Sequence, residues 1–141
     1  MIISENTFEK ARKRIRESKN PVFTSDNDDL NRKILEKENI NILLINQENR
    51  KDFAKQRNSG FNQVLAKLAK KKNVTIGINL DELIDSKSKE RIIARVIQNI
   101  KLCKKNKLKM KFISEKYSKN NYNLRALGLV LGMPTSMTKQ L

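Results

Sequence analysis

Short β-rich runs alternate along this chain with stretches whose apolar residues recur every three or four positions. The first kind of run fits a strand and the second a helix with one buried face. Ile2-Ile3 opens as a strand. Asn6-Thr7-Phe8-Glu9 then reads as a capping box, and Phe8, Ala11 and Ile15 form the apolar stripe of the helix it starts. Asn20-Pro21 ends that unit and Val22-Phe23-Thr24 is a second strand. Asp26 or Asn27 caps the next helix, whose buried side is Leu30, Ile34 and Leu35, while Asp28 and Asp29 suit the positive end of its dipole. Ile40 to Ile45 is the most apolar of the early runs and fits a strand buried on both faces.

The second half repeats the alternation after a long loop from Asn46 to Asn58. Ser59 is expected to cap a helix with Phe61, Val64, Leu65, Leu68 and Ala69 on one side and Gln63, Lys67 and Lys70 on the other. Val74 to Ile78 is a fourth strand, and Asp81 to Ile84 a single helical turn. The clearest helix runs from Lys89 to Lys105, with Ile92, Ile93, Val96, Ile97, Ile100 and Cys103 on one face. Arg91, Arg95, Gln98 and Lys105 fall nearly opposite. Met110 to Ile113 is a fifth strand. A last helix runs through Leu124, Leu127, Val130 and Leu131 and stops at Gly132 and Pro134, with a further turn over Ser136 to Leu141. Strands that alternate with crossover helices predict an α/β fold on a parallel sheet with crossovers of one hand. No linker or low-complexity tract divides residues 1–141, which read as a single domain. A closed eight-stranded β/α barrel takes roughly 250 residues. About five βα units therefore predict an incomplete TIM-barrel-like fold.

Charge narrows the function. Lys and Arg number 31 against 15 Asp and Glu, a formal net charge of +16. Such an excess attracts polyanions, nucleic acid above all, and says nothing about fold. No run of about 18 apolar residues is present to span a bilayer, and the opening residues lack a signal-peptide pattern. Histidine is absent, which removes the commonest general base and the commonest zinc ligand. Histidine-based nuclease chemistry and zinc hydrolase sites are disfavoured with it, and no catalytic or metal-ligating set is assigned. Cys103 is the single cysteine, so no internal disulfide forms, and its place in an apolar stripe reads as a buried inert thiol.

The loop after the third strand carries Arg50, Lys51, Lys55 and Arg57 for phosphates, with Gln56 and Asn58 as neutral donors beside Gly60. It follows a strand and precedes a helix, so it sits at the carboxyl rim of the sheet, where parallel barrels place functional loops. Its plain alternative is a solvated basic loop with a glycine needed for close packing. Arg91 and Arg95, one helical turn apart with Lys105 further along, form a second candidate of phosphate clamps, whose plain alternative is an exposed helix face. Asp81, Glu82 and Asp85 form the one carboxylate cluster near a strand end and read as helix-capping acids before a Mg²⁺ site. Tyr117, Tyr122 and Phe112 are too scattered for a stacking platform, so binding is expected to rest on charge and backbone shape.

Three stretches resemble one family. Arg50-Lys51-Asp52, followed by Gln56-Arg57-Asn58-Ser59-Gly60-Phe61-Asn62-Gln63-Val64-Leu65-Ala66-Lys67-Leu68-Ala69, is similar to archaeal ribonuclease P protein component 3. That family is related to the thirty-kilodalton subunit of eukaryotic nuclear ribonuclease P. Its members carry an arginine-rich loop, Asn-Ser-Gly and a helix of this kind, with histidine frequent where Gln63 stands here. Gln98-Asn99-Ile100-Lys101-Leu102-Cys103 looks like the family's next helix, and Ala126 to Met133 is similar to its final one. The matches keep family order over roughly the last two-thirds of the chain. Family members begin with further βα segments, and the segment before the last helix is shortened here between Asn123 and Ala126, so an open barrel is expected.

The resemblance implies a TIM-barrel-like, cytoplasmic ribonucleoprotein subunit of the enzyme that trims 5′ leaders from precursor tRNA. Catalysis there belongs to the RNA and its Mg²⁺ ions, and the protein itself holds no cofactor. Its implied partners are the catalytic RNA, precursor tRNA and the small αβ subunit called component 2, with no membrane involved. Two rivals stand beside this reading. One is a general RNA-binding protein without a dedicated enzyme partner; the other is a metal-dependent phosphoesterase on a related barrel, against which the missing histidines weigh.

Overall fold

Five short strands form one parallel sheet in the order in which they occur in the chain. They are β1 (Ile2–Ser4), β2 (Val22–Thr24), β3 (Ile42–Ile45), β4 (Thr75–Asn79) and β5 (Met110–Ile113). Between them run α1 (Phe8–Glu17), α2 (Asp28–Lys37), α3 (Gln63–Lys72), the short α4 (Leu80–Asp85) and α5 (Lys89–Lys105); α6 (Asn121–Leu131) and α7 (Thr135–Thr138) close the chain. The computed structural model describes residues 2–117, 120–139 and 141. Sequential order with every strand parallel is the connectivity of a β/α barrel wall, here with five strands. The expected incomplete TIM-barrel-like α/β fold is the fold found.

The register explains which residues make the core. Ile3, Phe23, Leu43, Ile76 and Met110 lie side by side across the sheet, and all five are buried. Ile45, Ile78 and Phe112 repeat the row one pleat further on. These positions join Ala11, Ile15, Ile34, Leu35, Ala66, Ala69, Ile92, Val96, Ile100 and Cys103 in one apolar cluster. Side chains alternate across a strand, so the positions between belong to the other face. That face is small and polar toward its carboxyl end. The Thr24 hydroxyl donates to the Leu44 carbonyl at 2.9 Å, Asn46 donates to the Thr24 hydroxyl at 3.1 Å, and Asn79 donates to the Asn46 side-chain oxygen at 2.9 Å. Ile2 and Ser4 of one edge strand and Ile113 of the other line a common hollow of about 190 Å³, so the sheet curls toward itself.

The helix starts show where local rules held. Asn27 caps α2 by accepting from the backbone N–H of Asp29 and Leu30, and Asn120 caps α6 through those of Tyr122 and Asn123. The capping box before α1 does not form, because Thr7 is the N-cap and its side chain makes no capping bond. Ser59 is not a cap either. Asn62 accepts from Leu65 N–H and begins α3, while the Ser59 hydroxyl is turned inward to the Phe61 carbonyl. Leu65, Ala66 and Ala69 form the buried side of the helix, and at 3.6 residues per turn Val64 falls on the far side, 57% exposed rather than in the core. β3 and β4 begin later than the apolar runs suggest, at Ile42 and Thr75. The turn expected over Ser136 to Leu141 is α7, with Gln140 outside the described residues.

Candidate nucleic-acid interface

Residues 46–62 join β3 to α3 at the carboxyl rim of the sheet, and two inward-pointing arginines hold them. Arg50 folds back on its own loop: its Nε donates to the Asn46 carbonyl at 2.7 Å and its two terminal nitrogens grip both Asp28 oxygens at 2.9 Å. Arg95 reaches up from α5 and is 3% exposed. Its Nε donates to Asp52 at 3.0 Å, and its terminal nitrogens donate to the Gln47 and Arg50 carbonyls, each at 2.8 Å. A guanidinium is planar and carries five donors in a fixed fork, which is why arginine can tie three separate acceptors at once.

Further bonds complete the clasp. Glu82 accepts from the backbone N–H of Gln47 at 2.8 Å and of Glu48 at 3.1 Å. Burial raises its pKa, and those two N–H donors pull the other way. Gln47 and Asn99 both donate to the Ser59 carbonyl, at 2.8 and 3.2 Å. Asp52 accepts from Asn58 N–H at 2.9 Å. That donor first, and Arg95 second, hold its carboxyl below the usual carboxylate range. Gly60 has a φ of +73°, and a Cβ there would stand 2.4 Å from an Arg50 terminal nitrogen. Glycine is thus required twice over, by its backbone angle and by the guanidinium beside it.

The candidate residues divide accordingly. The sequence marks Arg50 as a loop cation for phosphates and Arg95 as a phosphate clamp on the helix face away from the apolar stripe. The fold instead turns both guanidinium groups inward onto carbonyls and carboxylates, so neither presents a free fork to a ligand. Lys51, Lys55, Gln56 and Arg57 are exposed on the loop and Asn58 is half-buried. Gln56, Arg57, Asn58 and Lys105 come together in a groove of about 610 Å³ between the loop, α2, α3 and α5. Arg91 lies instead at a separate hollow of about 300 Å³ with Lys87, and Lys51 at a third.

Among the residues of the main groove that the sequence does not single out for a site are Lys101 and Phe53. Lys101 lines it one turn before Lys105, a spacing that was legible on the α5 face. Phe53 stands at its edge and is 57% exposed, and its one signal was a lone aromatic inside an otherwise polar loop. The acidic cluster does not converge. Asp81 accepts from Ser114 and Glu115 and Asp85 from Lys116 and Tyr117, so these two anchor the segment after β5, while Glu82 is spent on the loop. Among the described residues no three His, Cys, Asp or Glu side chains gather as a metal site, and no helix is long and apolar enough to cross a membrane.

No family model matches this chain, and no curated protein matches it at a significant level. A solved structure does. A chain in the cryo-EM structure of archaeal ribonuclease P with mature tRNA superimposes with a TM-score of 0.80 at 26% identity. The match covers 97% of this chain and 61% of that one. Over nearly its whole length, then, the chain is similar in fold and in sequence to a protein subunit of archaeal ribonuclease P.

Proposed function

We propose that this chain is a non-catalytic protein subunit of a ribonuclease P ribonucleoprotein, which binds and supports the RNA that cleaves 5′ leaders from precursor tRNA. The observation that carries the reading is the match of nearly all of this chain to 61% of a chain from a ribonuclease P structure with tRNA. The distribution of charge agrees with it. The exposed cations Lys51, Lys55, Arg57, Lys101 and Lys105 have no ion-pair partner among the described residues and are available for phosphates. Mg²⁺ in this reading sits on the catalytic RNA, and the particle works in the cytoplasm.

A protein partner belongs to the same proposal. The α6 helix leaves Tyr122, Leu129 and Val130 uncovered, Val130 by 82%. Single exposed apolar residues need no explanation, but three on one helix mark a surface suited to contact. Component 2 of the resembled family is the partner we assign to it.

Reconstitution tests the function. The chain is added to a cognate catalytic RNA with component 2, and cleavage of precursor tRNA is followed. A dependence of cleavage on this chain at physiological salt is the expected result. Cleavage that is the same with and without it would remove the ribonuclease P reading and leave a general RNA-binding protein.

A further inference from the structure

The groove beside α5 has a composition that phosphate binding alone does not call for. Its floor is apolar, from Phe61, Leu65 and Leu102. Gln56 and Gln98 supply amides that both donate and accept. Arg57, Lys101 and Lys105 supply positive charge. At the rim stands the exposed ring of Phe53. A surface that only neutralised a phosphate backbone would need the cations and would gain nothing from exposing a phenyl ring to water.

The backbone that carries this ring is held in place. Its own N–H donates to the Gln56 carbonyl at 2.9 Å, closing a tight turn. The preceding residue, Asp52, is tied to Arg95 and to Asn58 N–H. The buried arginines therefore act on the groove indirectly, by presenting Phe53, Gln56 and Arg57 from a pinned loop. A ring carried on a pinned backbone has only its two side-chain torsions to lose when a flat partner stacks on it. The groove carries acids too. Asp28 is neutralised by Arg50 and Arg32 is paired with Glu36, which leaves Asp29, without an ion-pair partner among the described residues, as an acceptor at the start of α2. A carboxylate there suits an amino group on a base edge rather than a phosphate.

We propose that this groove binds one unpaired nucleobase of an RNA strand, stacked on Phe53, with Arg57, Lys101 and Lys105 on the flanking phosphates. The inference rests on the RNA-binding reading above and sharpens it, because it requires a single-stranded or bulged element in place of a continuous duplex. A base inside a helix has both faces covered and cannot reach the ring.

The test uses the full chain with two RNA probes of equal phosphate number, one single-stranded and one a closed duplex, and measures binding by fluorescence anisotropy. Phe53→Ala should weaken single-strand binding by about five-fold or more, the lower range for losing one base–aromatic stack, and leave duplex binding unchanged. Phe53→Tyr should restore the single-strand affinity. Phe53→Trp should bind normally and have its emission quenched by the single strand and not by the duplex. An equal effect of Phe53→Ala on both probes, or none on the single strand, would overturn the proposal, as would an unquenched tryptophan. The outcomes separate the two readings. If strand discrimination at Phe53 persists while reconstituted cleavage ignores the chain, the ribonuclease P reading alone fails. If cleavage depends on the chain while Phe53→Ala is indifferent to strand state, the base pocket alone fails.

Discussion

Replacing Arg95 with methionine isolates what the buried fork contributes. The substitution keeps most of the aliphatic stem, so the apolar contacts along α5 survive and the guanidinium is what disappears. Three acceptors lose their donor: Asp52, the Gln47 carbonyl and the Arg50 carbonyl. Asp52 lies toward solvent and can rehydrate, so it is left out of the reckoning. The Gln47 carbonyl is buried and the Arg50 carbonyl partly so, and a buried acceptor without a partner costs about 1–3 kcal/mol. Two of them set a ceiling of about 2–6 kcal/mol. The loop can also swing out and find water, which limits the loss to the free energy of that local opening. We expect a net destabilisation of about 2–4 kcal/mol, or a fall in the urea midpoint of about 1–2 M at a slope of roughly 2 kcal/mol per M. Limited trypsinolysis at Lys51, Lys55 and Arg57 should accelerate at the same time. Arg95→Lys, with one compact charge in place of a fork, should fall in between. A methionine variant within about 0.5 kcal/mol of wild type, with unchanged tryptic cleavage of the loop, would refute the view that Arg95 is its anchor.

Four further outcomes follow from the same geometry. Gly60→Ala should destabilise by about 1–3 kcal/mol, read by thermal melting, because a side chain at that positive φ displaces Arg50 from Asp28. The depressed pKa of Asp52 gives a signed pH effect. Its contribution to holding the loop is complete above the unfolded carboxylate value, roughly 3.9, and is lost as pH falls through the lower folded one. The Asn58 amide should therefore keep its exchange protection from neutral pH down to the ordinary carboxylate range and lose it only below. RNA affinity should fall with salt at roughly −0.7 to −0.9 per neutralised phosphate; alanine at Lys51, Lys55 and Arg57 should flatten the slope more than alanine at Lys10, Arg12 and Arg16, since Arg12 and Arg16 already share Glu38. Cys103, whose thiol burial pushes up to about 12, should resist alkylation at mildly alkaline pH until the protein is unfolded.

How much of this was legible in the sequence depends on the range of the interactions involved. Strand identity and α5 were readable because each is written in a local period: Met110 and Phe112 alternate with Lys111, and Ile92, Val96, Ile100 and Cys103 return every turn. The cap of α3 was not, because Ser59 and Asn62 are both good capping residues and the choice was made by Ser59 being drawn inside, where its carbonyl meets Gln47 and Asn99. Arg95 was misplaced for a similar reason. Its helical position lies off the apolar stripe, and nothing within its own helix reveals that a loop from 43 residues earlier supplies an acid for it. Charge counting treats every arginine alike, whereas the fold sorts them into fasteners such as Arg50 and Arg95 and free cations such as Arg57. The groove was half legible: its basic residues were visible, and the ring of Phe53 acquires meaning only once α5 is seen beside it.

The sequential strand order also has a kinetic consequence. β1 bonds to β2, β2 to β3, β3 to β4 and β4 to β5. Among the described residues no strand skips a neighbour to pair with a remote one. Every strand can thus be zipped onto its predecessor as soon as the crossover between the two has been made, with one helix or, before β5, two, and no early segment waits for a remote strand. Parallel pairing still requires a crossover to close before each strand can dock, so it is slow compared with local contacts, but sequential order keeps every such closure as short as the topology allows. The same arrangement makes β3 a weak hinge for the whole process: a lesion there divides the ladder into two pairs of strands, and a two-stranded piece is marginal at best in water.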